Sequence, residues 1–239
     1  MIQRLHSAHT GSDVAVVVHT YGVHERIANP ILLHNAQASK ALSAGMLDRT
    51  LATVAATGFD VWLHTPTTTG KFDFSTGLPE IFKHLQLLGY KQVVITSDDV
   101  PDLQAAHVLE ASAKLQEGEA VLGPSRDGGA YLMGVRLAGS DLLNFSAVRW
   151  RTQHTLSDLL NYFESISLCA LLLDERLVDV DRLTITKGKA SLPLTSAWFS
   201  HFIAQLCLTA VRPRPRSHFR TPLATGHLFS GLRAPPLAA

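Results

Sequence analysis

Cysteine is nearly absent: the chain carries two, Cys169 and Cys207, far apart and with no Cys-x-x-Cys or Cys/His spacing around them. Neither a disulfide framework nor a zinc knuckle is expected from such usage. Long apolar runs are missing too. No window reaches the ~18 uncharged apolar residues of a membrane span. The opening MIQRLHSAHTGSD contains no apolar leader core. No membrane span is expected, and a cytoplasmic location is the expectation. Net charge is also scarce, since 21 Lys and Arg stand against 20 Asp and Glu for a formal +1. No global field therefore points to nucleic acid. Familiar catalytic signatures are lacking as well: there is no G-x-S-x-G and no H-E-x-x-H, and Thr65–Lys71 lacks the first Gly and final Ser/Thr of a P-loop. His19 and His24 share a loop, but no third ligand sits at a local spacing to make a zinc site.

The last absence is one of acid. Nothing after Asp181 is Asp or Glu, whereas Arg182, Lys187, Lys189, Arg212, Arg214, Arg216, Arg220 and Arg233 supply eight cations. The first 181 residues therefore hold 20 acids and 13 bases (21 − 8), a formal −7. An acidic body joined to a basic tail suggests a boundary near Asp181. The expected organisation is one domain over 13–185 and a basic, Pro- and Arg-rich appendage over 186–239. That appendage is in part too poor in buriable surface to fold. As a partner it is a solvated tail first and a contact for acidic molecules second.

What is present is enough for one sizeable core, with 239 residues that are 46% hydrophobic. Residues 1–12 are polar and read as a loose lead-in. Val14–Val18 is an unbroken β-branched strand, and Ile31–Ala56 reads as one or two helices, with Leu42, Met46, Leu47, Leu51 and Val54 at helical spacing. Strand Phe59–His64, helix Leu78–Leu88 and strand Val93–Thr96 follow. Pro101–Gln116 reads as a surface helix, Ala120–Leu122 and Ala130–Val135 as strands, Leu156–Ile166 as a helix and Leu168–Leu173 as a strand. Trp198–Val211 reads as an apolar helix. Strands alternating with helices through short loops predict a mostly parallel sheet in a three-layer α/β/α arrangement.

The chemistry concentrates where strands end. Val93, Val94 and Ile95 show no alternation, as in a strand covered on both faces. Pro101 cannot continue a central strand, so Asp98 and Asp99 fall at its carboxyl end, where open α/β sheets place ligands. Adjacent carboxylates repel, and a divalent cation or a donor-rich ligand compensates. A solvated turn in which one of them caps the next helix is the other reading of the same residues. Two more acidic turns share the context: Asp127-Gly128-Gly129 and Asp179-Val180-Asp181. In a parallel sheet all three meet on one edge, and converging carboxylates suit Mg2+ or Mn2+ bridging to substrate phosphates. Gly128 and Gly129 let the backbone approach a ligand. Trp150 reads as a packing residue at the site wall, and Thr152 as a cap for the helix that follows.

Val93–Leu103, VLGPSRDGGAYLMGVR at 121–136, Val148–Thr152 and LVDVD at 177–181 together resemble the DUF2064 family of glycosyltransferase-like proteins. These are GT-A-fold relatives of nucleotidyltransferases that include the guanylyltransferase of cofactor F420 biosynthesis. The family pattern resembles GSDCPDL, GP-x-x-DGGYYLIG, W-S-T and DVDT, over about residues 13–185 of this chain. The resemblance implies a Rossmann-like GT-A fold and a metal-dependent glycosyltransferase using a nucleotide-sugar donor. Its alternatives are a nucleotidyltransferase acting on an NTP and a catalytically silent nucleotide-sugar-binding relative. It places the metal-site aspartate on Asp99, with Asp179 and Asp181 as the further ligands of Mg2+ or Mn2+. Asp99 and Asp127 are the catalytic candidates; Gly128, Gly129, Arg26 and Thr152 are the substrate-binding ones. Partners implied are a nucleotide-sugar or NTP and an acceptor; a homodimer is compatible with the sequence. The family's first loop resembles FAKAPVPGRVKTRL, but here His19–Ile27 lacks that KTR triplet and keeps Arg26 as its permanent cation.

Overall fold

The computed structural model describes residues 1–6, 12–21, 36–66, 72–138, 143–180, 185–186, 189–190 and 196–210. Its centre is a seven-stranded sheet: β1 (Ile2–His6), β2 (Val14–His19), β3 (Asp60–His64), β4 (Gln92–Ser97), β5 (Ala120–Pro124), β6 (Ala130–Arg136) and β7 (Ala170–Leu172). The strand order is β1-β3-β2-β4-β6-β5-β7. Strands β2, β3, β4, β5 and β7 share one direction, and β1 and β6 run against them. The sheet is thus mostly parallel, as the alternation of elements predicts. β6 is antiparallel for a local reason: a turn of five residues, 125–129, can close a hairpin but cannot span a crossover.

Helices cover both faces. Ala15, Val17, Val93, Ile95, Leu122 and Met133 point to one side and pack under α2 (Phe74–Leu87) and α4 (Thr155–Ser165) through Phe82, Leu85, Leu159 and Phe163. Val16, Val18, Val61, Val94 and Val121 point to the other, under α1 (Ala36–Ala55) and α3 (Ala105–Lys114). Strands buried on both faces need apolar residues at every position, which is why β2 reads VAVVV with no polar break. Three layers follow.

Three expectations change in detail. Residues 2–6 are not a loose lead-in: β1 pairs with β3, and the Arg4 guanidinium reaches the buried Asp60 carboxylate at 2.8 Å. Residues 3–5 of this edge strand are exposed and only Ile2 is partly buried, so no apolar run marks it in the sequence. The helix expected from Pro101 begins at Ala105, because residues 100–103 first close a turn, with the Leu103 N–H donating to the Val100 carbonyl at 3.1 Å. In the basic appendage, α5 (Ala197–Ala210) buries Phe199 and Ile203 against Leu42, Met46 and Val180. A short antiparallel pair, Ile185–Thr186 with Lys189–Ala190, precedes it. Residues 31–35 and 211–239 lie outside the described residues. No described helix is long and apolar enough to cross a membrane.

Candidate functional site

Three strand ends supply the site. At the end of β4, Asp98 and Asp99 are both buried, at 1% and 2% exposure. Their surroundings separate them. Asp98 is built into the backbone frame: its N–H donates to the His19 carbonyl at 3.2 Å and its Oδ2 accepts from the Thr20 hydroxyl at 2.7 Å. Those contacts tie the ends of β4 and β2 together. Asp99 accepts a short hydrogen bond from the Ser97 hydroxyl, and among the described residues no Lys or Arg pairs with it. A carboxylate buried with a hydroxyl as its donor is poorly compensated unless a cation arrives. Neither aspartate caps α3, whose entry is formed by Gln104, with the Gln104 N–H donating to His107 Nδ1 at 3.1 Å.

The second strand end is the turn after β5. The Asp127 Oδ1 accepts the Gly129 N–H at 2.8 Å, and Ser125 donates its N–H to the Gly129 carbonyl at 3.0 Å. Gly128 has φ +94°, and a Cβ there would stand 2.2 Å from the Gln153 carbonyl oxygen. Its own carbonyl accepts the Leu156 N–H at 3.0 Å. The glycine is thus required where the turn is pressed onto the entry of α4. Gly123 has a similar cause, since a Cβ there would meet the Tyr131 ring at 2.6 Å. Asp127 itself is exposed on the rim.

The third is the segment after β7, which acts as a strap. Arg126 donates its N–H to the Leu177 carbonyl at 2.9 Å, and Val180 donates to the Asp99 carbonyl at 2.8 Å. Residues 177–180 therefore run from the Asp127 turn to Asp99. Asp99, the Asp127 turn and Asp179 are thus tied to one edge of the sheet through backbone hydrogen bonds. Asp179 is half-buried on the strap; Asp181 and Arg26 lie outside the described residues. Among the described residues no three His, Cys, Asp or Glu groups are close enough together to hold an ion. The donor chemistry fits a hard divalent cation nonetheless, since Asp99 and Asp179 offer carboxylate oxygens and, among the described residues, no Cys accompanies them.

Sequence reasoning missed the rest of the edge. His19 and His64 end β2 and β3 as register partners, with stacked rings at 5.1 Å and Nδ1 atoms 2.9 Å apart. One ring must donate and the other accept. Burial, helped by the terminal ammonium, pushes His64 down to about 4. Phe72 lies against both imidazoles, and Phe74 against His19 and Trp150. Trp150 stacks on Phe74 at 5.1 Å and so is a wall residue, as expected. The turn that carries it is clamped. Arg149 makes two side-chain hydrogen bonds to Asp158, both 2.8 Å, which hold that carboxyl well below the usual carboxylate range. The Thr152 and Thr155 hydroxyls both donate to the Arg149 carbonyl at 2.8 Å, and Thr152 Oγ1 accepts the His154 N–H at 3.2 Å. Thr152 therefore orders the entry to α4, close to its expected capping role.

The model of the family described as an uncharacterized protein conserved in bacteria, DUF2064, matches residues 33–152, about half of the chain. The match takes in Asp99 and the Asp127 turn and stops short of the 177–181 strap. A protein of Desulfovibrio desulfuricans G20, provisionally named a nucleotide-diphospho-sugar transferase, is 21% identical with a TM-score of 0.60, over 72% of this chain and 84% of that one. It bears out the fold. A 4-diphosphocytidyl-2C-methyl-D-erythritol synthase of Anaerococcus prevotii is 10% identical, over 83% of this chain and 100% of that one, at a TM-score of 0.46. A cytidylyltransferase of Leptospira borgpetersenii is 12% identical, over 73% and 82%, at 0.45. Neither of these two adds to the fold assignment. No curated protein matches the chain.

Proposed function

The chain belongs to the DUF2064 family, and on that premise we propose that it is a metal-dependent glycosyltransferase taking a nucleotide-sugar donor. The observation that carries this reading is Asp99: buried, without a Lys or Arg partner among the described residues, and hydrogen-bonded through its backbone to the strap that bears Asp179. The similarity in fold to a protein provisionally named for nucleotide-diphospho-sugar transfer supports it.

Asp99, Asp179 and Asp181 would hold Mg2+ or Mn2+. When bound, the ion neutralises charge building on the leaving diphosphate. Thr20 and Ser97 keep the two aspartates of β4 in different roles, Asp98 as frame and Asp99 as ligand. Gly128 and Gly129 shape the wall of the sugar pocket, and the Gly129 N–H fixes the orientation of the Asp127 carboxylate. Asp127 takes the proton of the acceptor hydroxyl as that oxygen bonds to the anomeric carbon. The bond from the anomeric carbon to the diphosphate breaks, and the nucleoside diphosphate leaves with the bonding pair. Arg26 and Thr152 complete the donor site.

Calorimetry with Mn2+ and a panel of UDP-, GDP- and dTDP-sugars tests the proposal. Metal-dependent binding of one of them, followed by slow hydrolysis or transfer, is expected. Binding to none would sink it. Release of pyrophosphate from an NTP would move the reaction to nucleotidyl transfer, and binding without turnover would mark a silent relative.

A further inference from the structure

The strap that carries Asp179 has two anchors, and they lie in different cores. Leu177 belongs to the cluster under α1 and α3, with Val121 and Leu173. Val180 is fully buried, yet it joins neither core of the sheet: it packs with Leu42 and Met46 of α1 and with Phe199 and Ile203 of α5. Its backbone N–H is the one that meets the Asp99 carbonyl at 2.8 Å. Asp179 is the residue before it, so the depth at which Val180 is seated sets how far that carboxylate stands from Asp99.

The helix that seats it is keyed onto α1. Ser196 caps α5, its hydroxyl accepting the Phe199 N–H at 3.2 Å. Gly45 of α1 leaves room for the crossing, since a Cβ there would stand 2.5 Å from the Phe202 ring. Trp198 stacks on Phe202 at 5.3 Å, and the Arg49 guanidinium of α1 lies 5.8 Å from the Trp198 ring centroid. Phe199 and Ile203, the buried residues of α5, meet no strand residue in their cluster. A helix that only covered α1 would close over Leu42 and Met46; this one also encloses a residue of the strap. Close-packed interiors pass displacement on to their neighbours, so a void at Phe199 is felt at Val180 first.

We infer that Phe199 is a positioning residue for the metal-binding edge: through Val180 it holds the strap, and with it Asp179, against Asp99. The inference rests on the reading of Asp99 and Asp179 as metal ligands. It gives part of the basic appendage, beyond the residues matched by the family model, a task in the site.

The test uses the full chain and three readouts: Mn2+ affinity, with and without a nucleoside diphosphate, from the spin resonance of the free ion; amide hydrogen exchange at Val180; and thermal melting. Phe199→Ala opens a void beside Val180. It is expected to speed Val180 exchange at least about tenfold relative to the amides of α3 and to weaken Mn2+ about tenfold. Phe199→Leu, which refills most of the void, restores both. Ile203→Val is a milder truncation that keeps the fold, and it moves both in the same direction by less. Phe163→Leu, cut into the opposite face of the sheet, is the control: it lowers melting and leaves Mn2+ affinity and Val180 exchange as in the wild type. Unchanged Mn2+ affinity in Phe199→Ala and Ile203→Val overturns the inference and leaves the proposed function standing. If Phe163→Leu weakens Mn2+ as much as Phe199→Ala at an equal loss of melting temperature, the effect is general instability and the inference is again overturned. Should the wild type bind no Mn2+, the metal reading falls on that result alone, and Val180 exchange in Phe199→Ala decides whether α5 seats the strap.

Discussion

Val180 donates its backbone N–H to the Asp99 carbonyl at 2.8 Å, joining residues 81 positions apart (180 − 99) at one edge of the sheet. This bond puts the DVD segment beside the SDD turn, and the Arg126 to Leu177 bond puts the same segment beside the Asp127 turn. The site is therefore a property of the strap as much as of the strands.

Two neighbouring aspartates should fail differently. Asp98→Asn weakens the bond from Thr20 and lowers stability, because a buried group then lacks its designed partner. Asp99→Asn leaves the frame in place and lowers Mn2+-dependent nucleotide-sugar affinity at least about tenfold. Denaturation midpoints and calorimetry, run on both variants, read the two effects separately. Equal loss of binding in both would contradict the division of roles.

Gly128→Ala should destabilise the fold by at least about 1–3 kcal/mol, from the left-handed φ alone. The Cβ placed 2.2 Å from the Gln153 carbonyl adds to that, since the neighbour is backbone. Urea unfolding checks it; a change under about 0.5 kcal/mol, the range of inconsequential surface substitutions, would show that the turn yields.

The N-terminal strand carries a measurable share of stability. The Tyr90 hydroxyl donates to Asp60 Oδ2 at 2.8 Å and accepts from the Trp62 indole at 3.3 Å, and Arg4 reaches the same carboxylate oxygen. Tyr90→Phe should lower stability by about 1–3 kcal/mol, because it leaves the Trp62 N–H buried without an acceptor. Arg4→Ala should have a smaller effect, the guanidinium itself being half-exposed and Tyr90 still donating to the buried Asp60.

Acid should loosen the edge through His64. Its folded value of about 4 lies below the ordinary 6.5, so the unfolded chain binds more protons between those two pH values. The contribution is whole above about pH 6.5 and is lost as pH falls toward 4. Protonating His64 also adds charge 2.9 Å from His19 Nδ1. The unfolding midpoint of the wild type should fall between pH 7 and 5, and His64→Gln should flatten that slope. Parallel slopes in the two proteins would remove His64 as the cause.

Much of this was legible in sequence, and the rest hid for identifiable reasons. VAVVV at 14–18 and VVI at 93–95 announce strands buried on both faces, because only such strands lack a polar alternation. Pro101 placed Asp98 and Asp99 at a carboxyl end. The distinction between them did not show, since it depends on Thr20, 78 residues away. β1 escaped because Gln3, Arg4 and Leu5 are all exposed, so the strand carries no apolar pattern. The His19–His64 pair is a matter of register between β2 and β3. Trp198–Val211 shows as an apolar helix, and the place of Phe199 against Val180 appears only when the two are folded together.

The central claim is that Asp99 is a metal ligand, and anomalous diffraction at the manganese edge, from crystals grown with Mn2+ and a nucleotide-sugar, tests it most directly. A peak about 2.0–2.3 Å from an Asp99 carboxylate oxygen, bordered by the 179–181 segment and by the ligand's diphosphate, is the predicted result. A nucleotide-sugar bound at this edge with no manganese beside Asp99 would contradict it.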